Sequence, residues 1–176
     1  DTSNYLKAQK DLNGCERLYY SFDFGKWHFV SLPTPAPNKE EVEAVHWLDK
    51  DLTANKDKPT IVLMHFHLLP IGLSQLEFYS YDLPLRKQYL DTITKYGNVK
   101  YVFIGHVHNG FKASVKTAWE YKGARFICVP TVVPSRNFGE EYPEYAGSLL
   151  NGGYYMVVQV DGEKVSLFGR LLGNDK

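Results

Sequence analysis

Apolar positions along the chain follow two rhythms, one near 3.6 residues and one of two, and the elements follow from them. Residues 1–13 carry a weak helical spacing, with Tyr5, Leu6 and Leu12 as the apolar points. The stretch from Arg17 to Phe24 is aromatic and partly alternating, which predicts a strand. Gly25-Lys26 predicts a tight turn, and Trp27 to Leu32 returns as the second strand of a hairpin. Pro33, Pro35 and Pro37 then hold the chain extended. Asn38 is placed to cap a helix running to about Leu52, with Glu40 and Glu41 favourable in its first turn. Val45, Leu48 and Leu52 give that helix a single apolar face.

Thr60-Ile61-Val62-Leu63-Met64 is uninterrupted by charge, as a strand buried on both faces requires. Leu68 to Leu83 shows no period and reads as a loop. Pro84 suits a helix start, Leu85, Tyr89, Leu90 and Ile93 its buried side, and Gly97 its end. Val99 to Ile104 is a second buried strand, completing a βαβ pattern with helices over a sheet. Residues 125–129, 154–160 and 164–168 predict three further strands, with Asp161-Gly162 as the turn between the last two. Pro130 to Gly153 is rich in turn residues. No internal repeat or linker divides the chain.

The length, 176 residues, fits one domain or a large part of a bigger one. Twenty Lys and Arg balance twenty Asp and Glu, so a broad basic nucleic-acid footprint is not indicated. No apolar run reaches the roughly 18 residues of a membrane span. Cys15 and Cys128 are too few and too far apart for a Cys-built zinc site or a disulfide framework. They read as two buried thiols rather than a bridge, which leaves the compartment open. The first residue is Asp1 rather than Met, so a leader sequence is compatible with the chain.

Four of the six histidines form two pairs, each directly after a buried strand: His65 and His67 follow Met64, and His106 and His108 follow Gly105. Functional groups in a helix-covered parallel sheet gather at the carboxyl ends of its strands. Neutral imidazole is the commonest metal ligand near neutral pH. In an extended stretch His106 and His108 point the same way, and Gly105 permits a close backbone approach. His28 and His46 read as structural. Neither cysteine has a basic constellation beside it, Ser135 lacks the nucleophile-elbow context, and Arg136 and Asn137 read as a solvated loop.

Val62-Leu63-Met64-His65 resembles the VxxH motif of the calcineurin-like metallophosphoesterases, a superfamily that includes purple acid phosphatases and cyclic-nucleotide phosphodiesterases. Gly105-His106-Val107-His108 resembles their GHxH motif. Tyr20 to Val30 resembles the hairpin that follows the third metal motif, and Trp47 to Leu52 resembles the helix before VxxH. The likeness runs in order from about Tyr19 to His108. It implies a four-layer αββα sandwich with two divalent or mixed-valence ions, Mn, Fe or Zn. It implies His65 and His106 on one ion and His108 on its neighbour, with a bridging hydroxide attacking the phosphorus of a mono- or diester.

The family's DxH, GDxxD and GNHD or GNHE motifs, which supply the remaining ligands, do not occur in the chain. Residues 1–176 are therefore expected to be a single partial domain, its partner the missing N-terminal portion, and to be inactive alone. His67 stands one position later than the second histidine of many relatives. It is expected near the mouth of the site, in contact with substrate phosphate or with a metal ligand. Two alternatives stay open: a non-catalytic binding or scaffolding module on the same fold, and a mononuclear zinc hydrolase with three histidine ligands. The strands Ile61–Met64 and Val99–Ile104 are expected to be bare on one face without the missing portion.

Overall fold

The computed structural model of the chain describes residues 2–32, 39–70, 83–106, 117–132 and 153–172. Helix α1 (Thr2–Asn13) precedes the hairpin of β1 (Tyr20–Phe24) and β2 (Trp27–Ser31). Helix α2 (Lys39–Ala54), strand β3 (Thr60–Met64), helix α3 (Leu83–Lys95) and strand β4 (Val99–Ile104) follow. β5 (Ala118–Tyr121), β6 (Ala124–Cys128), β7 (Tyr154–Asp161) and β8 (Lys164–Leu171) complete the described elements. The three prolines at 33, 35 and 37, the Asn38 cap, and Ser135, Arg136 and Asn137 lie outside the described residues, as do residues 71–82 of the loop expected from Leu68 to Leu83. Pro84 is the second residue of α3, where a missing N–H breaks no helical bond.

One sheet runs in the order β1-β2-β3-β4-β6-β5, and β7 and β8 pair separately. β2, β3, β4 and β6 are mutually parallel, and the two edge strands are antiparallel to their neighbours. Side chains alternate across a strand, so Val62 and Met64 face one way and Ile61 the other. Val45, Leu48 and Leu52 of α2 and Leu85, Tyr89 and Ile93 of α3 cover the first face, packing with Val30, Val62, Val102 and Ile104. The spacing i, i+3 or i+4, then i+7 or i+8 accounts for this, since it brings each set onto one side of its helix. Leu48 is fully buried, so Leu48→Ala is expected to cost about 3 kcal/mol of unfolding free energy, read from urea titration.

The opposite face is not bare. Met156 of β7 and Val165 of β8 pack on Trp27, Ile61, Phe103 and Ile127. The indole Nε1–H of Trp27 donates to the Gly162 carbonyl at 2.7 Å and pins the β7–β8 turn to the start of β2. The expectation that this face needs another segment to cover it is thus corrected for Ile61 and Phe103. Leu63, one pleat further along the same face, stays 40% exposed. Among the described residues the layers are helix, sheet and sheet, the mixed α/β class expected and three of the four layers of the αββα sandwich that the resemblance implies.

Two local readings shift. The β7–β8 loop is Gly162-Glu163, one residue later than expected, because Asp161 pairs with Lys164. Gly162 has a φ of 59°, the conformation a type II′ hairpin requires at its first central position. β5 was not foreseen. It reaches β6 through Lys122 and Gly123, both at positive φ.

Candidate metal centre

β3 and β4 end level with each other, because Met64 pairs with Ile104 in their parallel register. The Gly105 N–H continues the ladder, donating to the Met64 carbonyl at 3.3 Å. His65 and His106 therefore leave the sheet side by side. Their rings lie 5.1 Å apart, centroid to centroid, at 69° to each other. A Cβ placed on Gly105 would come within 3.0 Å of His65 Nδ1. Glycine at 105 thus leaves the floor on which the His65 ring rests.

His106 has a φ of 69°, in the left-handed region that a non-glycine residue enters at a cost of about 1–2 kcal/mol. Such conformations persist where surrounding contacts over-determine them, and they concentrate at functional sites. The contacts here are aromatic. Phe66 lies 4.2 Å from the His106 ring and 5.1 Å from the His65 ring, roughly perpendicular to both.

His67 departs from expectation. It is only 1% exposed, so it is enclosed rather than set at a mouth, and its ring stacks on His106 at 6.3 Å and 24°. The sequence thus brings His65, His67 and His106 into one cluster. His108 lies outside the described residues. Among the described residues no group of three or more His, Cys, Asp or Glu side chains is disposed to hold a metal ion. Cys128 closes β6 beside Ile104, and burial pushes its thiol up to about 12. A neutral thiol is a poor ligand and nucleophile, so Cys128 adds packing rather than chemistry. Cys15 is half-buried, not buried as expected, and no disulfide joins it to Cys128.

His28 sits at the other end of the sheet, where it pairs with Thr60 at the start of β3. Its two ring nitrogens each lie 2.7 Å from a carboxylate, Asp23 across the hairpin and Asp51 on α2. Ser21 Oγ donates to Asp51, and the Lys58 ammonium donates to Asp23 at 2.6 Å. The cluster fastens the hairpin to α2, which fits the structural role read for His28. His46 is exposed on α2.

Lys58 first, then His28, holds the Asp23 carboxyl below its ordinary range. A depressed folded-state value means that Asp23 stabilises the fold above about pH 4, its unfolded range, and that this is lost as pH falls through the lowered value. Asp23→Asn is therefore expected to lower the urea midpoint at pH 6 and to leave it nearly unchanged at pH 2. Equal losses at both would contradict the ionic role.

Comparisons with known proteins bear on this geometry. No family model matches the chain. It is 32% identical over 89 residues to the 3′,5′-cyclic adenosine monophosphate phosphodiesterase CpdA of Escherichia coli, strains K12 and O157:H7. The match covers 49% of this chain and 29% of the relative, so the chain spans under a third of the curated relatives it matches. Its fold superposes on a dimetal phosphatase from Danio rerio with a TM-score of 0.62 at 14% identity, over 96% of this chain and 63% of the other. The sequence likeness to a phosphodiesterase and the fold likeness to a dimetal phosphatase are consistent with the resemblance to the calcineurin-like metallophosphoesterases carried by the two His motifs. Among the described residues no helix is long and apolar enough to cross a membrane.

Proposed function

We propose that the complete protein hydrolyses a phosphate mono- or diester at a dinuclear metal centre lying at the carboxyl ends of β3 and β4. The observation that carries this reading is the convergence of His65 and His106 from adjacent parallel strands, their rings 5.1 Å apart. The donor chemistry fits the group. Two neutral imidazoles suit Mn, Fe or Zn, and the space above Gly105 keeps one ring where its partner can share an ion. His65 and His106 would hold one ion, and His108 the second. When bound, the pair of cations activates water and neutralises charge on the phosphoryl oxygens.

The chain's own residues supply the preorganisation. His65 and His106 leave strands fixed by the ladder, so little reorganisation accompanies substrate binding. His67, enclosed and stacked on the His106 ring, is assigned the role of orienting His106 rather than the substrate contact expected of it. The bridging carboxylate and the remaining ligands are assigned to sequence upstream of Asp1, which makes residues 1–176 a partial domain. A cyclic nucleotide is one candidate diester, after the name of the Escherichia coli relatives.

The test compares residues 1–176 with the full natural protein, each assayed with a chromogenic phosphomonoester and a phosphodiester in Mn²⁺, before and after chelation. Activity confined to the full protein and removed by the chelator is expected. Equal activity in the two would contradict the assignment of ligands upstream.

A further inference from the structure

We infer that Phe66 is a positioning residue that sets the mutual orientation of the His65 and His106 imidazoles. The inference rests on the proposed reading of those two histidines as metal ligands. Phe66 occupies the position between His65 and His67, where no polar chemistry is available to it. Its ring nonetheless makes perpendicular contacts with both imidazoles, at 5.1 Å to His65 and 4.2 Å to His106. The two imidazoles are themselves near-perpendicular. Three aromatic planes thus meet edge to face, an arrangement aromatic pairs prefer because ring edges are positive and faces negative.

Two further features make the orientation depend on this ring. His106 is held at a φ of 69°, which its own backbone disfavours, so a neighbouring contact must hold it there. The His65 ring rests over Gly105, where a Cβ would approach Nδ1 to 3.0 Å, and glycine gives it no side chain to lean on. Among the described residues, the Phe66 ring touches both imidazoles. Removing it leaves His65 and His106 in place along the chain but frees their torsions. Residues that orient a metal ligand typically change metal affinity when replaced, even though they never touch the ion.

The experiment uses the full natural protein and Mn²⁺ titrated in competition with a chelating indicator, together with the visible absorption of the Co²⁺-loaded form. Phe66→Ala is expected to weaken Mn²⁺ about tenfold or more, with Phe66→Tyr within about twofold of wild type. Phe66→Leu fills the space without a planar edge. It is expected to weaken Mn²⁺ and to alter the Co²⁺ bands while remaining folded, and it carries the test if Phe66→Ala does not fold. His106→Asn serves as the control for the ligand reading. Loss of Mn²⁺ in His106→Asn with unchanged affinity and bands in Phe66→Leu overturns the positioning role alone. Unchanged Mn²⁺ binding in His106→Asn overturns the ligand reading beneath it. A lowered melting temperature in Phe66→Leu with wild-type affinity and spectrum means the ring only packs, and also overturns the inference.

Discussion

Replacing His106 with Ala in the full natural protein is expected to lower phosphoester turnover by about a thousandfold, because a Lewis-acidic ion contributes several kcal/mol to the barrier and each 1.36 kcal/mol is tenfold. His106 leaves β4 beside the end of β3, and its ring faces His65 at 5.1 Å. Its left-handed backbone complicates the Ala variant, which keeps the strain and discards the contact with Phe66. His106→Asn separates the two effects. Asn tolerates that conformation better than most residues, yet its carboxamide is a poor replacement for imidazole on these metals. Turnover and bound metal are expected to fall in both variants, while the Asn variant keeps the higher melting temperature. A His106→Asn protein with full metal content and near-normal turnover would remove this residue from the site.

The second large effect is structural. Gly153 directly precedes β7, and its peptide lies against the chain leaving β6. The Tyr154 N–H donates to the Thr131 carbonyl at 2.7 Å, and the Leu172 N–H donates to the Gly153 carbonyl at 2.8 Å. A Cβ on Gly153 would overlap the Val132 carbonyl oxygen and stand 2.8 Å from its carbonyl carbon. Space, not an unusual φ, is what this position demands. The obstruction is backbone, tied to β7 through the adjacent Thr131 carbonyl, so it cannot swing away as a side chain would. Gly153→Ala is expected to cost about 3 kcal/mol or more, at the upper end of overpacking penalties. The shift would also loosen Met156 and Val165 from Ile61 and Phe103. A urea titration showing a loss below about 1 kcal/mol would contradict the close approach.

The sheet and its helical cover were legible because β3 and, after Lys100, β4 are apolar runs and α2 and α3 each carry one apolar stripe. The two His pairs were legible for the same reason: each follows directly on such a run. β5 was not, since its turn is Lys122-Gly123, and Lys is a weak signal for a residue at positive φ. The β7–β8 turn moved by one residue because Gly162 must come first in its loop. The cluster of Asp23, His28 and Asp51 carries no local signature. Its members meet only because the β1–β2 register places Asp23 opposite His28 and α2 brings Asp51 over the hairpin. The burial of His67 and the contacts of Phe66 depend on how the chain turns after Met64, which spacing alone does not set.

The most direct measurement is anomalous diffraction at the manganese edge from crystals of the full natural protein grown with Mn²⁺. Two manganese peaks are expected at the carboxyl ends of β3 and β4, one of them within about 2.0–2.3 Å of a ring nitrogen of both His65 and His106. Manganese bound elsewhere, or its absence beside these two rings in an active protein, would contradict the account.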